Sequence, residues 1–404
     1  MFNTTIIGHK DLLPIDSNDI ILFISIFFVI ILSSTSGVGG GGILIPLFML
    51  IGNFDILNAA ALTVLVIACN SFIRMIFLIN KKHPQSNKRY LIDYSPILLI
   101  VPFDGNTSFI GLILSEIAPK WFILFSILIV LGIIFYKTCK KAMIQYKEEK
   151  TEDFNKNILL QIDGISIYIH KNKYNNTINK FFDGDTNKIK NIILLFTSFI
   201  LITIFTIIKN KYDSCGSMYY IIYGIQFICM LIWGMFIINY IINDYKKKQS
   251  NNFQFLTNDI KWEYKTAIKY AIISSFTGLL STYLGIGGGM ILAPFMIHIG
   301  MSSEVIVATS SITTFFSSTI TCIQYLAANR IKSDYGFAIL IISPIYSIIA
   351  MLITNKIMSK YKKRSFITMA LSLLILISIV LLMVNGFIDI EWDSFNFYNF
   401  CNEL

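Results

Sequence analysis

The feature that most constrains this chain is its series of long apolar segments. Residues 20–36, 59–79, 121–136 and 366–384 contain few or no charged side chains. Each approaches the length of about 20 residues that an α-helix needs to cross the hydrocarbon core of a bilayer. Backbone groups in lipid must pair within their own segment, so these segments are predicted to be helices. A membrane barrel would show shorter segments of alternating hydrophobicity instead.

The composition supports a membrane protein. Only 14% of the residues are charged and 55% are hydrophobic, whereas soluble proteins keep about 25% charged residues. The formal net charge of +9 does not indicate a nucleic-acid partner, because the Lys and Arg residues flank the predicted spans, where they set orientation. The six Cys form no CxxC pair and no metal-ligand spacing with the four His, so neither a metal nor a cofactor is predicted.

The predicted fold class is all-α, a polytopic membrane protein of about ten transmembrane helices. These helices form two repeated four-helix units with a two-helix insert between them. The predicted division of the chain is an N-terminal tail (1–18), a first repeat (19–137), a polar cytoplasmic loop (138–190), the insert (191–243), a polar loop (244–265), a second repeat (266–384) and an acidic C-terminal tail (385–404).

The repeats are visible because a glycine-rich motif occurs twice. Gly37-Val-Gly-Gly-Gly-Gly-Ile-Leu-Ile-Pro46 matches Gly285-Ile-Gly-Gly-Gly-Met-Ile-Leu-Ala-Pro294 at an offset of 248 residues. If each motif interrupts a single crossing, the repeats are parallel and both termini are cytoplasmic. In that arrangement the basic run 356–364 lies on the opposite face from the other basic loops. If each motif instead forms a re-entrant hairpin, the number of crossings changes.

Both motifs predict a broken helix. Each Gly costs a helix about 1 kcal/mol relative to Ala, and the Pro that follows removes a backbone donor. Non-helical backbone at membrane depth is tolerated only inside the protein or beside a polar cavity. A helix that restarts there presents its positive N-terminus, which favours an anion. The alternative is that the glycines only permit close helix packing, but two copies at matching places favour a site. A nucleotide site is not expected, because no Gly-Lys-Ser/Thr follows and no strand precedes the motif.

Polar side chains inside the spans are further candidates. Asn70 and Arg74 lie one helical turn apart. Arg74 could hold an anionic substrate, pair with a carboxylate, or extend toward the basic loop at Lys81. The equivalent helix of the second repeat is rich in hydroxyls, which either join helices or bind an oxyanion. Asp93 and Asp334 start matching spans and are interpreted as helix caps, with proton coupling as the less favoured alternative. The spans contain no Ser/His/Asp set and no paired carboxylates, so the chain is predicted not to be an enzyme.

The paired motifs resemble those of the TauE/SafE family of sulfite exporters and organosulfonate permeases. The second motif continues through Gly300-Met-Ser-Ser-Glu-Val-Ile-Val-Ala-Thr-Ser310, and His83-Pro84 with Leu91-Ile-Asp-Tyr94 is similar to the eukaryotic, plant-like branch. Residues 138–265 show no quotable match. Met290 replaces the last Gly of the first motif, and the counterparts of Asn70 and Arg74 are Ser318 and Cys322.

The resemblance implies a duplicated, all-helical carrier of small sulfur-containing anions, such as sulfite or sulfonates, with a proton or sodium ion as a possible coupling ion. The prediction is a secondary transporter in a cell or organelle membrane that works by alternating access. Its partners are a small anionic solute and the lipid bilayer, and its oligomeric state is left open. The alternative is a non-transporting scaffold or escort protein that binds a partner through its polar loops. The candidate substrate-binding residues are Gly37, Gly39, Gly40, Gly41, Pro46, Asn70, Arg74, Gly285, Gly287, Gly288, Gly289, Pro294, Thr309, Ser310, Ser317 and Gln324.

Overall fold

The structure, a computed structural model, describes residues 11–36, 39–83, 86–162, 188–212, 216–251, 253, 255, 259–299, 301, 303–361 and 364–389. Within them the chain is almost entirely helical, with one two-stranded hairpin, and eight helices are long and apolar enough to cross a membrane. This confirms the predicted all-α, multi-pass fold. The elements are α1 (Ser17–Ser36), α2 (Gly41–Leu50), α3 (Ile56–Leu78), β1 (Lys82–His83), β2 (Ser86–Tyr90), α4 (Tyr94–Ile117), α5 (Lys120–Ile162), α6 (Lys188–Lys209), α7 (Ser217–Ser250), α8 (Tyr264–Leu284), α9 (Gly288–Ile299), α10 (Ser303–Ala327), α11 (Ser333–Tyr361) and α12 (Arg364–Asp389).

Both glycine motifs break a helix, as predicted. The first break separates α1 from α2, and the second separates α8 from α9. Gly40, Gly285 and Gly287 have φ angles of 76°, 67° and 77°, a left-handed conformation that glycine adopts without steric cost. Neither broken pair can therefore continue as one straight helix.

The first pair, α1 and α2, is a re-entrant hairpin. Tyr335 touches both of its outer ends: its hydroxyl donates to Asp19 Oδ1 (2.8 Å) near the start of α1, and its ring lies 4.9 Å from that of Phe54, just after α2. The start of α2 folds back on α1, since a Cβ on Gly40 would lie 3.1 Å from Ser33 Cβ. The chain thus leaves the hairpin at the face where it entered.

The second pair, α8 and α9, is also a hairpin. The ring of Tyr270, near the start of α8, lies 5.3 Å from that of Phe295 in the second half of α9. The start of α9 lies deeper, because a Cβ on Gly288 would be 2.7 Å from Ser317 Oγ, in the middle of α10.

The two hairpins open on opposite faces, as the ends of α4 demonstrate. Thr309, just after the second hairpin, accepts a hydrogen bond from the backbone of Asp93 (3.2 Å), at the start of α4. The face of the first hairpin, where α11 starts, lies at the other end of α4. There Arg330 pairs with Glu116 (3.4 Å).

This topology corrects the single-crossing arrangement and the parallel repeats that it implied. A hairpin contributes no net crossing, so α3–α5 and α10–α12 run in opposite directions, with α6 and α7 between them. The segments that join helix ends at the face where α8 begins (79–93, 137–190, 246–269 and 356–364) contain 26 of the 33 Lys and Arg residues. The positive-inside rule assigns this face to the cytoplasm. The basic run 356–364 now lies with the other basic segments, and α1 begins at the opposite face. By this rule α1 begins on the non-cytoplasmic face, whereas the single-crossing arrangement placed the N-terminus in the cytoplasm.

Candidate functional site

The two hairpins meet tip to tip in the middle of the helix layer. A Cβ on Gly41, the first residue of α2, would collide with the carbonyl oxygen of Ile286, two residues before α9. Ile67, at the centre of α3, touches both breaks: a Cβ on Gly39 would collide with its side chain, and one on Gly287 would lie 2.9 Å from its Cδ1. We call this meeting point, formed by residues 39–42 and 285–289, the midplane cradle.

Helix termini give the cradle its electrostatic character. The first N–H groups of a helix have no intrahelical partner, and the helix dipole adds partial positive charge at that end. The starts of α2 and α9 both point into the cradle, so two positive helix ends converge there. The glycines are required for this approach, because a side chain at Gly41 would meet backbone. The cradle therefore favours an anion.

A hydrogen-bonded group supports the first break, and we call it the Arg74 cluster (Ser33, Ser34, Asn70, Ser71 and Arg74). Asn70 Nδ2 donates to Ser33 Oγ (3.2 Å), and Ser34 Oγ donates to Asn70 Oδ1 (3.4 Å). Arg74 donates from Nη1 to the Ser33 carbonyl (3.2 Å) and from Nη2 to Ser71 Oγ (3.1 Å).

The position of Arg74 is that of a helix cap. It is 0% exposed, so it does not extend toward the loop at Lys81. Ser33 lies in the last turn of α1, where carbonyl groups lack intrahelical partners and a cation is favoured. Arg74 therefore fastens the end of α1 to α3.

Hydroxyl groups line the second break. Thr314, Ser317 and Ser318 occupy one face of α10; a Cβ on Gly289 would collide with Thr314 Oγ1, and one on Gly287 would lie 3.7 Å from Ser318 Oγ. All three are buried, and among the described residues neither Thr314 Oγ1 nor Ser318 Oγ has a hydrogen-bond partner. Buried polar groups in native proteins normally have a partner, so these hydroxyls point to a ligand.

The same break also contains a carboxylate that the sequence interpretation overlooked. Asp104, in the middle of α4, is 1% exposed. It accepts a hydrogen bond from Thr277 Oγ1 (3.4 Å), and a Cβ on Gly288 would lie 3.6 Å from its Oδ1, beside Ser317. We call Asp104, Thr277, Thr314, Ser317 and Ser318 the Asp104 cluster. The sequence does contain a signal for it, because a single acid within an apolar span is itself a functional candidate.

The other predicted site residues lie at several distances from the cradle. Ser310 donates to the Val307 carbonyl (3.3 Å) within α10, and Gln324 Nε2 donates to Ser108 Oγ (2.8 Å) on α4. Thr309 binds the start of α4 and, like Gln324, lies about 10–12 Å along the helix from Ser317. Pro46 and Pro294 lie within α2 and α9, and Gly37 lies outside the described residues. The structure thus gathers the described glycines in the cradle, with Ser317 beside Gly288, and places Thr309 and Gln324 elsewhere.

Comparison with known proteins connects this architecture with one family. The model of the sulfite exporter TauE/SafE family matches residues 186–381, which include the two-helix insert as well as the second repeat. The chain is 24% identical to sulfite exporter TauE/SafE family protein 1 of Arabidopsis thaliana, over 91% of this chain and 84% of that protein. It is 23% identical to family protein 5 and 22% identical to family protein 2 of the same plant, over 91% and 90% of this chain and 83% and 82% of those proteins. No solved structure matches the chain. The resemblance to the TauE/SafE family is confirmed, and the chain is a multi-pass membrane protein.

Proposed function

We propose, on the premise that this chain is similar to the TauE/SafE family of sulfite exporters, that it is a secondary transporter of a small sulfur-containing anion such as sulfite or a sulfonate. The observation that carries the proposal is that two re-entrant hairpins meet beside buried hydroxyls, with the N-termini of their short helices α2 and α9 next to each other. Broken helices whose positive ends converge near the bilayer midplane are a recurrent way to bind an anion in transporters.

In the proposed site, the anion accepts hydrogen bonds from donors that have no partner among the described residues. Backbone N–H groups at Gly288 and Gly289 and the hydroxyls of Thr314 and Ser318 would donate to its oxygens. A hydrogen bond to a charged group contributes about 1.5–3 kcal/mol, so two or three suffice for a dissociation constant between about 1 mM and 1 μM. Weak binding of this kind suits a carrier, which must release its substrate.

The Arg74 cluster has a different proposed role. Arg74 lies about 10 Å along α3 from Ile67 and the cradle. Its positive charge would raise the electrostatic potential for an anion, while its two hydrogen bonds hold α1 in place. Asn70, which bonds to Ser33 and Ser34, would likewise hold the end of α1 in place.

The inverted hairpins suggest how access alternates. The side chains of the Asp104 cluster, beside the cradle, are buried, so movement of a hairpin has to open a path. Displacing α1 and α2 would connect the cradle with the face where α1 begins, and displacing α8 and α9 would connect it with the basic face. We propose that these two movements alternate and that a proton or sodium gradient drives them.

The test is flux of radiolabelled sulfite in liposomes that contain the purified protein, with sulfate as a comparator and protein-free liposomes as background. Gly289→Ala places a methyl group against Thr314 in the cradle, whereas Gly132→Ala on α5 enters open space and serves as its matched control. Saturable sulfite exchange that survives in Gly132→Ala and falls in Gly289→Ala supports the proposal. Folded protein that moves neither anion would refute transport of inorganic sulfur anions.

A further inference from the structure

We propose that Asp104 is the group through which anion movement is coupled to a proton. The anion would occupy the cradle only while the Asp104 carboxyl carries a proton, so that one proton crosses the membrane with each anion. This inference rests on the proposed transport function and extends it by naming the coupling ion and the residue that binds it.

The geometry places the carboxylate where the anion is proposed to bind. Asp104 Oδ1 would lie 3.6 Å from a Cβ on Gly288, the first residue of α9, and Ser317 Oγ 2.7 Å from the same point. Thr314 and Ser318, the hydroxyls without a partner among the described residues, line the same break. The carboxylate, the helix N-terminus and the hydroxyls therefore form one small buried group.

Two negative charges cannot share this space without cost. Unit charges about 4 Å apart, at an effective dielectric constant of about 20, disfavour each other by roughly a thousandfold in binding. A neutral carboxylic acid removes that repulsion and can itself donate a hydrogen bond. Proton and anion should therefore favour each other's binding, and by linkage the effect is equal in both directions.

No cation beside Asp104 neutralises it among the described residues. On α6, Lys209 Nζ lies over the Phe109 ring (3.4 Å), about 7.5 Å farther along α4. Glu116 and Arg330 pair with each other near the end of α4, about 18 Å from Asp104 along the helix. The described titratable side chains of α7 that pack on Phe109 are Tyr219 and Tyr223. From α8 and α10, the hydroxyls of Thr277 and Ser317 face the carboxylate.

The surroundings favour a proton over a sodium ion. The start of α9 presents N–H donors and a positive helix dipole beside the carboxylate, and both repel a bound cation such as sodium. A proton needs only the carboxylate oxygen. The Thr277 hydroxyl can donate to the carboxylate when the proton leaves, and it can turn to accept from the carboxylic acid when the proton arrives.

The experiment compares wild type, Asp104→Asn, Asp104→Glu and Asp93→Asn in sulfite-loaded liposomes. Asp93 is an acid on the same helix that caps its start, and Asn preserves a cap, so Asp93→Asn is the matched control. Two quantities are measured for each protein: exchange of radiolabelled for unlabelled sulfite without gradients, and accumulation of sulfite driven by an inward proton gradient. Since sulfite itself titrates, each variant is judged against wild type under identical conditions.

We expect Asp104→Asn to exchange sulfite and to lose gradient-driven accumulation, while Asp104→Glu and Asp93→Asn retain both. Accumulation that persists in Asp104→Asn would overturn the inference, as would loss of exchange and accumulation together in folded protein. If accumulation follows a sodium gradient at constant pH and is lost in Asp104→Asn, then Asp104 couples transport to sodium. That result would overturn the inference that the coupling ion is a proton. Absence of exchange in wild type would instead refute the proposed function, and this inference with it.

Discussion

The two glycine breaks have nearly the same backbone and very different surroundings. Each ends a long helix, turns through a left-handed glycine and starts a short helix at mid-depth. The first is supported by the Arg74 cluster, whose members bond to one another and to the end of α1. The second faces the Asp104 cluster, which contains buried hydroxyls without partners among the described residues.

This difference indicates that the two halves of the duplicated fold have different roles. Duplication preserves the path of the backbone, because the hairpin tips must fit together at Gly41 and Ile286. Side chains can diverge once only one half needs to contact the solute. The proposed function makes the first break a rigid support and the second break the half that binds the anion, and substitutions at Gly41, Arg74 and Thr314 test that contrast.

The largest effect is expected where the two tips touch. In Gly41→Ala the new methyl group meets the carbonyl of Ile286, and backbone cannot turn aside. The cost should reach about 4 kcal/mol or more, the range of severe single substitutions, and lower the yield of folded protein. Thermal unfolding in detergent measures it, with Gly132→Ala, which gains up to about 1 kcal/mol of helix propensity, as the control. If both variants are equally stable, the tips do not meet.

A loss of stability of intermediate size is expected in the Arg74 cluster, beside the first break. Arg74→Ala removes two donors from a buried cluster and should cost about 2–4 kcal/mol. Arg74→Lys keeps the charge and should recover part of the stability and most of the sulfite exchange. Unfolding temperature and exchange rate, measured on the same preparations, separate the contribution of Arg74 to stability from its contribution to sulfite exchange. Normal stability of Arg74→Lys together with abolished exchange would mean that Arg74 binds the anion directly, and the contrast between the clusters would fail.

The smallest change in stability and a selective change in affinity are expected in the binding half. Thr314→Val removes a buried hydroxyl that has no described partner, so stability should stay the same or rise slightly. The half-saturating sulfite concentration should rise about tenfold for the loss of one charge-assisted hydrogen bond. Thr309→Val, which breaks a bond to the start of α4, should show the reverse: lower stability and unchanged affinity. Equal affinities in the two variants would remove Thr314 from the site.

Local sequence rules predicted the helical spans and both breaks, because long apolar segments and glycine runs determine the local backbone conformation without help from distant residues. They could not distinguish a crossing from a hairpin, since α1 is long enough for either. That choice depends on long-range contacts such as those of Tyr335 with Asp19 and Phe54. The hydroxyl-rich helix was recognised, but only packing decides that Ser317 faces the break while Thr309 binds α4.

The most direct test of the account is the face on which each helix end lies. Single cysteines replace Ile15, Lys120 or Lys261 in a cysteine-free chain, all at exposed positions, and sealed vesicles of known orientation are treated with a membrane-impermeant maleimide. The inverted hairpins predict that Ile15→Cys and Lys120→Cys react from one face and Lys261→Cys from the other. Reaction of Ile15→Cys and Lys120→Cys from opposite faces would show that the first glycine break lies within a single crossing, and would contradict the account.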